Sequence, residues 1–215
     1  MALKVYGLPM STCTTRVLAC IHEKGVEVEL VPVDFKVGEH KQPPFLAKNP
    51  FGQIPVLEDG DLTLFESRAI TAYVSHKYKD KGVDLLRSGN IKEAGLVSVW
   101  TEVEAQQFNP AISPIVYNLL IAPAFGMQAN NAVVEANVEK LGKVLDVYES
   151  RLSSSKYLAG DFYSLADLHH FPYTHYLMQT KWASLINTRP HVKAWWEDIS
   201  TRPALKKVAE KMIMS

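Results

Sequence analysis

The chain has 215 residues, of which 47% are hydrophobic and 21% are charged. This length is enough for one or two domains with a sizeable core. Lysine plus arginine number 23, as do aspartate plus glutamate, and this balance argues against a nucleic-acid-binding protein, which usually has a basic excess. No apolar run approaches the roughly 18 residues of a membrane span. The N-terminus has no signal-peptide pattern, so we expect a cytoplasmic protein.

The first 80 residues alternate between strand and helix patterns. Period-two alternation predicts strands, and apolar residues three or four apart predict helices. The predicted elements are a strand over 2–6, a helix over 12–24 that ends at Gly25, a strand over 26–35, a short helical piece over 40–50, a hairpin over 54–65 that turns at Asp59-Gly60, and a helix over 66–78. The order β-α-β-α-β-β-α is typical of a thioredoxin-like α/β fold.

The pattern changes after this part of the chain. Residues 80–90 are polar and contain two glycines, as expected of a linker, and the residues after them are helical. The clearest helix covers 134–152, and a second one begins at Ile91 and is expected to be disturbed at Pro110 and Pro114. The chain is therefore predicted to divide into an α/β domain over 1–79, a linker over 80–90 and an all-helical domain over 91–215.

The two cysteines, Cys13 and Cys20, fall in one predicted helix. At about 1.5 Å per residue their Cα atoms are roughly 10 Å apart, which is too far for a disulfide. We therefore expect two free thiols, as is usual in a reducing compartment.

The stretch GLPMSTCTTR, residues 7–16, offers both a hydroxyl and a thiol at the start of the first helix. Ser11 can be a simple N-cap, or its hydroxyl can donate a hydrogen bond to a bound thiolate at the positive end of the helix. Cys13 can be a thiol of lowered pKa, or the first member of the apolar stripe that continues through Val17, Cys20 and Ile21. The local pattern leaves these alternatives open.

Two further segments carry polar groups beside turns. The Ile54-Pro55 bond opens a strand and is a candidate cis peptide that turns the Ile54 backbone toward a ligand, although the segment can also be an ordinary loop. Glu66 and Ser67 open a helix, where an acid is favourable without any function. The same pair suits an amino-acid head group, with Glu66 taking the ammonium and Ser67 the carboxylate.

Other polar residues allow a binding role or a plain surface role. His40 and Lys41 can hold a carboxylate or can simply be solvated. The histidines at 169, 170 and 175 lack the spacing of a metal site, so no metal is expected.

Four motifs together resemble the plant phi class of glutathione S-transferases: GLPMSTCTTRVL, GEHKQPPFLAKNPFGQIPVLEDGDLTLFESRAI, YLAGDFYSLADLHH and RPHVKAWWEDISTRPA. The resemblance spans nearly the whole chain, and the second motif is highly specific. It implies a thioredoxin-like domain followed by a helical domain, glutathione as cosubstrate with no tightly bound cofactor, a role in detoxification, and a homodimer.

The resemblance also implies the roles of individual residues. Ser11 matches the hydroxyl that stabilises the glutathione thiolate, with Thr12 as an alternative hydroxyl. The remaining glutathione contacts are His40 and Lys41 near the glycyl carboxylate, Gln53 and the Ile54 backbone at the cysteinyl part, the cis-proline Pro55, and Glu66 and Ser67 at the γ-glutamyl group. Ser164 and Asp167 match a helix cap that serves folding.

The resemblance also implies a second, hydrophobic site for small electrophiles or flavonoid-like ligands, which we expect between the domains. The residues suggested for it are Met10, Phe35, Ile115, Leu119 and Tyr176, each of which can equally be plain core.

The sequence supports three functional hypotheses. The first is a glutathione transferase that joins the glutathione thiolate to hydrophobic electrophiles. The second is a carrier, or ligandin, that binds flavonoids or hormones and catalyses little. The third is a thiol reductase based on Cys13, against which stands the serine in the expected catalytic place.

Overall fold

A computed structural model describes residues 3–124 and 126–213. Contacts within the chain define two compact units, one of the residues up to Asp84 together with Lys207–Ile213, and one of Leu85–Lys206. The sequence pattern assigned the segment 207–213 to the helical domain, but Val208 lines a cavity with Leu18 of the first unit. The boundaries at 79 and 90 stay a prediction.

A four-stranded mixed sheet forms the centre of the first unit. Its strands are β1 (Leu3–Gly7), β2 (Val28–Pro32), β3 (Val56–Asp59) and β4 (Leu62–Phe65), in the order β2-β1-β3-β4. Strand β1 is parallel to β2 and antiparallel to β3, and β3 and β4 form the predicted hairpin. The thioredoxin-like topology is therefore confirmed, although Ala2 of the predicted first strand lies outside the described residues.

The second strand is shorter than the predicted 26–35. It lies at an edge of the sheet and ends at Pro32, and proline has no N–H to donate to a ladder. The chain then turns at Asp34, whose Oδ1 accepts a hydrogen bond from the Lys36 N–H at 2.8 Å.

The first unit also contains three helices, which lie between or after these strands along the chain: α1 (Thr12–Glu23), α2 (Pro43–Leu46) and α3 (Ser67–Lys77). Helix α1 is the best predicted of them. Ser11 is its N-cap, and Gly25 follows its end with a φ of 61°, in the left-handed region that glycine favours.

The second unit is helical. Its elements are α4 (Ile91–Val103), α5 (Asn109–Val116), α6 (Ala122–Ala124), α7 (Asn131–Leu152), α8 (Leu165–Leu168), α9 (Phe171–Leu177), α10 (Ser184–Asn187), α11 (Pro190–Ser200) and α12 (Pro203–Ala209), the last of which ends in the first unit. No helix in the described part of the chain is both long enough and apolar enough to cross a bilayer.

The predicted disturbance around Pro110 and Pro114 takes the form of two wide turns. The chain stays helical through both prolines, but Glu104–Phe108 and Tyr117–Ile121 are π-helical. In the first of these turns the Asn109 N–H donates to the Glu104 carbonyl, five residues back. A π turn shifts the hydrogen-bond register, which lets the helix continue next to a residue that lacks an N–H.

The predicted helix cap at Ser164 and Asp167 is confirmed as a full capping box at the start of α8. Asp167 is completely buried, and its carboxylate accepts hydrogen bonds at 3.0 Å from the Leu158 N–H, the Ser164 N–H and Trp195 Nε1. Burial raises the pKa of Asp167 to about 6, against the lowering effect of these donors, so the group is ionised at neutral pH. The Asp167 carboxylate therefore connects the loop at Leu158, the N-cap of α8 and helix α11.

We predict that Asp167→Asn lowers the free energy of unfolding by about 3 kcal/mol, because the new amide N–H groups would face buried donors. Urea denaturation at pH 7.5 measures this change. Asp161→Asn is the matched control, since exposed Asp161 accepts one surface hydrogen bond from the Lys156 N–H and should change stability by less than about 0.5 kcal/mol. Equal losses in the two variants would contradict this prediction.

Candidate active site

The ends of four strands bring the predicted site residues to one edge of the sheet. Tyr6, near the end of β1, is paired with Val56 at the start of β3, and Val56 is paired with Phe65 at the end of β4. Gly7 is likewise paired with Pro32 at the end of β2. The segments that follow β1, β2 and β4 and precede β3 therefore meet at the same edge, and these segments carry all the predicted glutathione-binding residues.

Ser11 stands at the N-terminus of α1, after the turn that follows β1. It is half-buried, its backbone is extended, and its Oγ accepts a hydrogen bond from the Thr14 N–H at 3.4 Å. A hydroxyl has one hydrogen and two lone pairs, so this contact leaves the O–H able to donate. The neighbouring Thr12 is only 8% exposed. Ser11 is therefore the more accessible of the two hydroxyls.

Cys13 departs from the apolar stripe that the sequence indicated. Val17, Cys20 and Ile21 are completely buried, but Cys13 is only half-buried, and its Sγ lies 3.6 Å from Nη1 of Arg16. Both cysteines are free thiols, which confirms the prediction. Burial raises the pKa of Cys20 to about 12, so Cys20 stays protonated at neutral pH.

The start of α3 holds Glu66 and Ser67 in different environments. Glu66 is exposed and has a φ of 67°, which is unusual for a residue with a side chain. Ser67 is 5% exposed, and its Oγ accepts a hydrogen bond from Arg16 Nη1 at 2.8 Å. The carboxylate of Glu66 is thus available to a ligand at the N-terminus of a helix.

Arg16 is a site residue that the sequence analysis missed. It is completely buried, and the same guanidinium nitrogen contacts Cys13 in the first turn of α1 and Ser67 in the first turn of α3. The sequence signal that could have identified Arg16 is a charged residue on the helix face that is predicted to be buried. Arginine is almost never fully buried without partners, so such a position indicates a structural or binding role.

The loop before β3 is held by a second residue that the sequence analysis missed. Asn49 is 2% exposed; its Nδ2 donates to the Gln53 carbonyl at 2.7 Å, and its Oδ1 accepts from the Phe51 N–H at 3.0 Å. The Ile54-Pro55 peptide that follows is cis, as the sequence suggested. Asn49 precedes a proline in a turn, which is the pattern that could have identified it.

Lys41 fixes the same loop from outside. Its Nζ donates to the carbonyls of Phe51 at 3.0 Å and Gly52 at 2.9 Å. Gly52 has a φ of 58°, and a Cβ atom there would lie 2.6 Å from the His40 carbonyl oxygen. Only glycine fits this close approach between the two segments.

His40 stacks on Phe35, with ring centroids 4.0 Å apart. Its Nδ1 is buried and has no hydrogen-bond partner within the described residues. A buried lone pair costs less than a buried unsatisfied N–H, so we infer that Nε2 carries the hydrogen and can donate to an anion. Phe35 packs against the cluster of Val33, Phe45 and Val56.

The residues suggested for the hydrophobic site differ in exposure. Met10 is 38% exposed and Leu119 is half-buried, whereas Ile115 and Tyr176 are completely buried within the helical unit. None of them lines the open groove of about 350 Å³ in that unit, which is formed by Ser113, Pro114, Tyr117, Asn118, Ile121 and Tyr173. The composition of the hydrophobic site stays a prediction.

A metal site would need several ligating side chains close together. Over residues 3–124 and 126–213, no group of three or more histidine, cysteine, aspartate or glutamate side chains is placed to hold a metal ion.

Comparison with known proteins gives the family. Residues 1–76 match the N-terminal domain model of glutathione S-transferases and residues 108–203 match the C-terminal domain model. The chain is 59% identical to glutathione S-transferase F13 of Arabidopsis thaliana over 97% of this chain and 95% of that protein.

Solved structures agree with this assignment. The crystal structure of glutathione transferase F7 from Populus trichocarpa matches with a TM-score of 0.97 and 67% identity, over 99% of this chain and all of that one. Maize glutathione S-transferase I in complex with an atrazine glutathione conjugate matches with a TM-score of 0.93 and 50% identity, over 99% and 98% of the two chains. The chain therefore belongs to the glutathione S-transferase family, in its plant phi class, and is a glutathione transferase.

We predict that the backbone of Glu66 stores conformational strain. Glu66→Gly and Glu66→Ala both remove the carboxylate, but only glycine relaxes at a φ of 67°, so the glycine variant should be the more stable by about 1 kcal/mol. Thermal unfolding without ligand measures the difference. The control is Ala69→Gly on an exposed position of α3, where glycine should instead cost about 0.5–1 kcal/mol. A Glu66→Gly variant that is no more stable than Glu66→Ala would exclude the strain.

Proposed function

We propose that the Ser11 hydroxyl donates a hydrogen bond to the sulfur of glutathione and that the resulting thiolate attacks small hydrophobic electrophiles. The main support is the position of Ser11, which is accessible at the N-terminus of α1 and keeps its hydrogen for a ligand. The helix end adds positive potential at the same place. A relative that holds a glutathione conjugate of atrazine is consistent with this reaction.

The hydrogen bond and the helix terminus can lower the pKa of the glutathione thiol sufficiently without a basic residue. A free thiol has a pKa of about 8.5, so about 3% is ionised at pH 7. Lowering this pKa by about two units needs roughly 2.7 kcal/mol. A hydrogen bond to a charged group supplies about 1.5–3 kcal/mol and a helix terminus about 0.3–1 kcal/mol. One serine at one helix end therefore suffices.

Ionisation alone gives only a small rate gain. The thiolate fraction rises about 25-fold, but nucleophilicity falls with pKa, and a Brønsted slope of about 0.45 takes back roughly eightfold. The net gain is about threefold. Most of the rate enhancement must therefore come from holding the electrophile beside the sulfur.

We propose that the rest of glutathione is bound by the predicted contacts. Glu66 takes the γ-glutamyl ammonium, and Ser67 donates to the adjacent carboxylate, since its lone pair already accepts from Arg16. The backbone of Ile54 pairs with the cysteinyl part, beside Gln53 and the cis-proline Pro55. His40 and Lys41 attract the glycyl carboxylate. In the reaction the thiol proton leaves to solvent, and sulfur bonds to the electrophile as its leaving group departs or its double bond takes up a proton.

We predict that Ser11→Ala lowers kcat/KM for glutathione conjugation by on the order of tenfold to a hundredfold, because ionisation and the orientation of sulfur are both lost. Thr12→Ala and Cys13→Ala are the matched controls and should keep most of the activity. Ser11→Cys should trade conjugation for disulfide exchange, since the protein would then supply its own nucleophile.

The three alanine variants separate the hypotheses in one conjugation assay, run with a chloronitrobenzene as the electrophile. A selective loss in Thr12→Ala would mean that the other hydroxyl is catalytic. A selective loss in Cys13→Ala would favour the thiol reductase. Wild-type protein that binds glutathione but fails to conjugate a panel of electrophiles would favour the carrier.

We also propose that the protein is a cytoplasmic, detoxifying homodimer. Its two free thiols fit a reducing compartment. Each unit exposes apolar side chains of the kind found at interfaces: Phe51 is 64% exposed in the first unit, and Ile91 and Val99 are 85% and 54% exposed on α4 of the second. Symmetric dimers are also the commonest oligomers.

We predict a sedimentation mass near twice the monomer mass of 24.1 kDa at micromolar concentration. Val99→Asp should shift the protein toward monomer, because it places a charge in an apolar interface. Val147→Asp is the control, since Val147 is also exposed, at 59%, but lies on α7. A wild-type mass near that of the monomer would exclude the dimer.

A further inference from the structure

A separate cavity of about 170 Å³ lies in the first unit. It is formed by α1, β2 and the segment at the end of α12, and none of the proposed glutathione contacts lines it. Its apolar part includes Leu18, Val28 and Val208. Drug-sized ligands occupy pockets of roughly 300–1,000 Å³, so this cavity has room for a smaller molecule.

The polar side of the cavity is cationic. Lys207 and Lys211 are exposed side chains four residues apart, and neither forms an ion pair with any residue of the described chain. Both ammonium groups border the same cavity, where like charges repel each other. The described lining residues include these two cationic side chains and no carboxylate.

His22, in the last turn of α1, is a half-buried residue that also lines the cavity. Burial lowers the pKa of His22 to about 4, and the two lysines add to this effect. The ring is therefore neutral at pH 7, and it can form a hydrogen bond without adding charge. A change in the pKa of His22 therefore reports a change in the electrostatic potential of the cavity.

We propose that this cavity binds a small organic anion with a single apolar ring, of the aromatic carboxylate class. The ring lies on Leu18, Val28 and Val208, and the carboxylate lies between Lys207 and Lys211. Binding of an anion removes the repulsion between the two lysines. It also reduces the cationic potential at His22, so bound ligand should raise the pKa of His22.

The first experiment titrates the protein with benzoate and with benzamide, its neutral analogue, in the presence of saturating glutathione. Histidine ring signals are followed by NMR, and the His22 signal is assigned from its loss in His22→Gln. At pH 7, where benzoate is charged, benzoate should shift the His22 signal and benzamide should not. Equal shifts with both compounds, or a benzoate shift that appears only when glutathione is left out, would overturn the proposal.

The second experiment measures benzoate affinity by calorimetry in variants of the rim. Lys207→Gln combined with Lys211→Gln should weaken binding roughly tenfold, since both charges are lost. Lys206→Gln is the matched control, because Lys206 is an exposed neighbour that does not line the cavity. Conjugation activity without benzoate should be unchanged in all of these variants.

Val28→Phe tests the apolar side. Val28 lies half-buried on the edge strand β2, and the larger ring should fill the cavity and prevent benzoate binding. Weakening by Lys206→Gln as large as that of the double variant, or unchanged binding in Val28→Phe, would contradict the assigned site. A wild-type protein that shows no benzoate binding at millimolar concentration would exclude it altogether.

Discussion

The candidate active site depends on one buried cation. Arg16 is completely buried, and a buried guanidinium is tolerated only where its N–H groups find partners. Two of these partners, Cys13 and Ser67, lie in the first turns of different helices. The requirement to satisfy Arg16 therefore holds the N-terminus of α1 next to the N-terminus of α3. Ser11 and Glu66, which flank these two helix ends, are brought to one place by a residue that need not touch the substrate.

The positive potential at the two helix ends complements the negative charges of the proposed ligand. Glutathione carries a thiolate when reactive and a carboxylate on its γ-glutamyl group, and each helix N-terminus favours negative charge. The loop before β3 contributes in another way. Asn49 and Lys41 hold its carbonyl groups, so the Gln53-Ile54 segment keeps a fixed shape at the edge of the sheet. The site is thus built largely from backbone positions that buried Asn49 and exposed Lys41 hold in place.

The sequence predicted the elements with strong local signals. Helix α1 has an N-cap serine and a terminal glycine, the β3–β4 hairpin has Asp59-Gly60 at its turn, and the α8 cap has Ser164 and Asp167 at the right spacing. The second strand was predicted too long because alternation continues past Pro32, where the edge ladder ends. The π turns beside Pro110 and Pro114 were not predicted, since wide turns have no simple residue signature.

Some residues of the candidate site could be predicted from the sequence and others could not. Residues that would touch glutathione follow a motif, so Ser11, Glu66 and Ser67 could be named from the sequence. Arg16 acts through a contact with Ser67, 51 residues along the chain, which a linear pattern does not reveal. Asn49 holds backbone groups within four residues of itself, and its signal, an asparagine before a proline, was not used. The exposure of individual side chains could not be predicted from the sequence either. Ile115 and Tyr176 have the residue types of an apolar pocket, yet they are completely buried in the helical unit.

The most direct test of the account is the pKa of the glutathione thiol when it is bound. Thiolate absorbs in the ultraviolet, so a pH titration of the protein–glutathione complex gives this pKa without any electrophile. In wild-type protein it should lie about two units below the roughly 8.5 of a free thiol. In Ser11→Ala it should return most of the way to that value, while Thr12→Ala leaves it low. A titration that Ser11→Ala does not move would contradict the claim that this hydroxyl stabilises the thiolate.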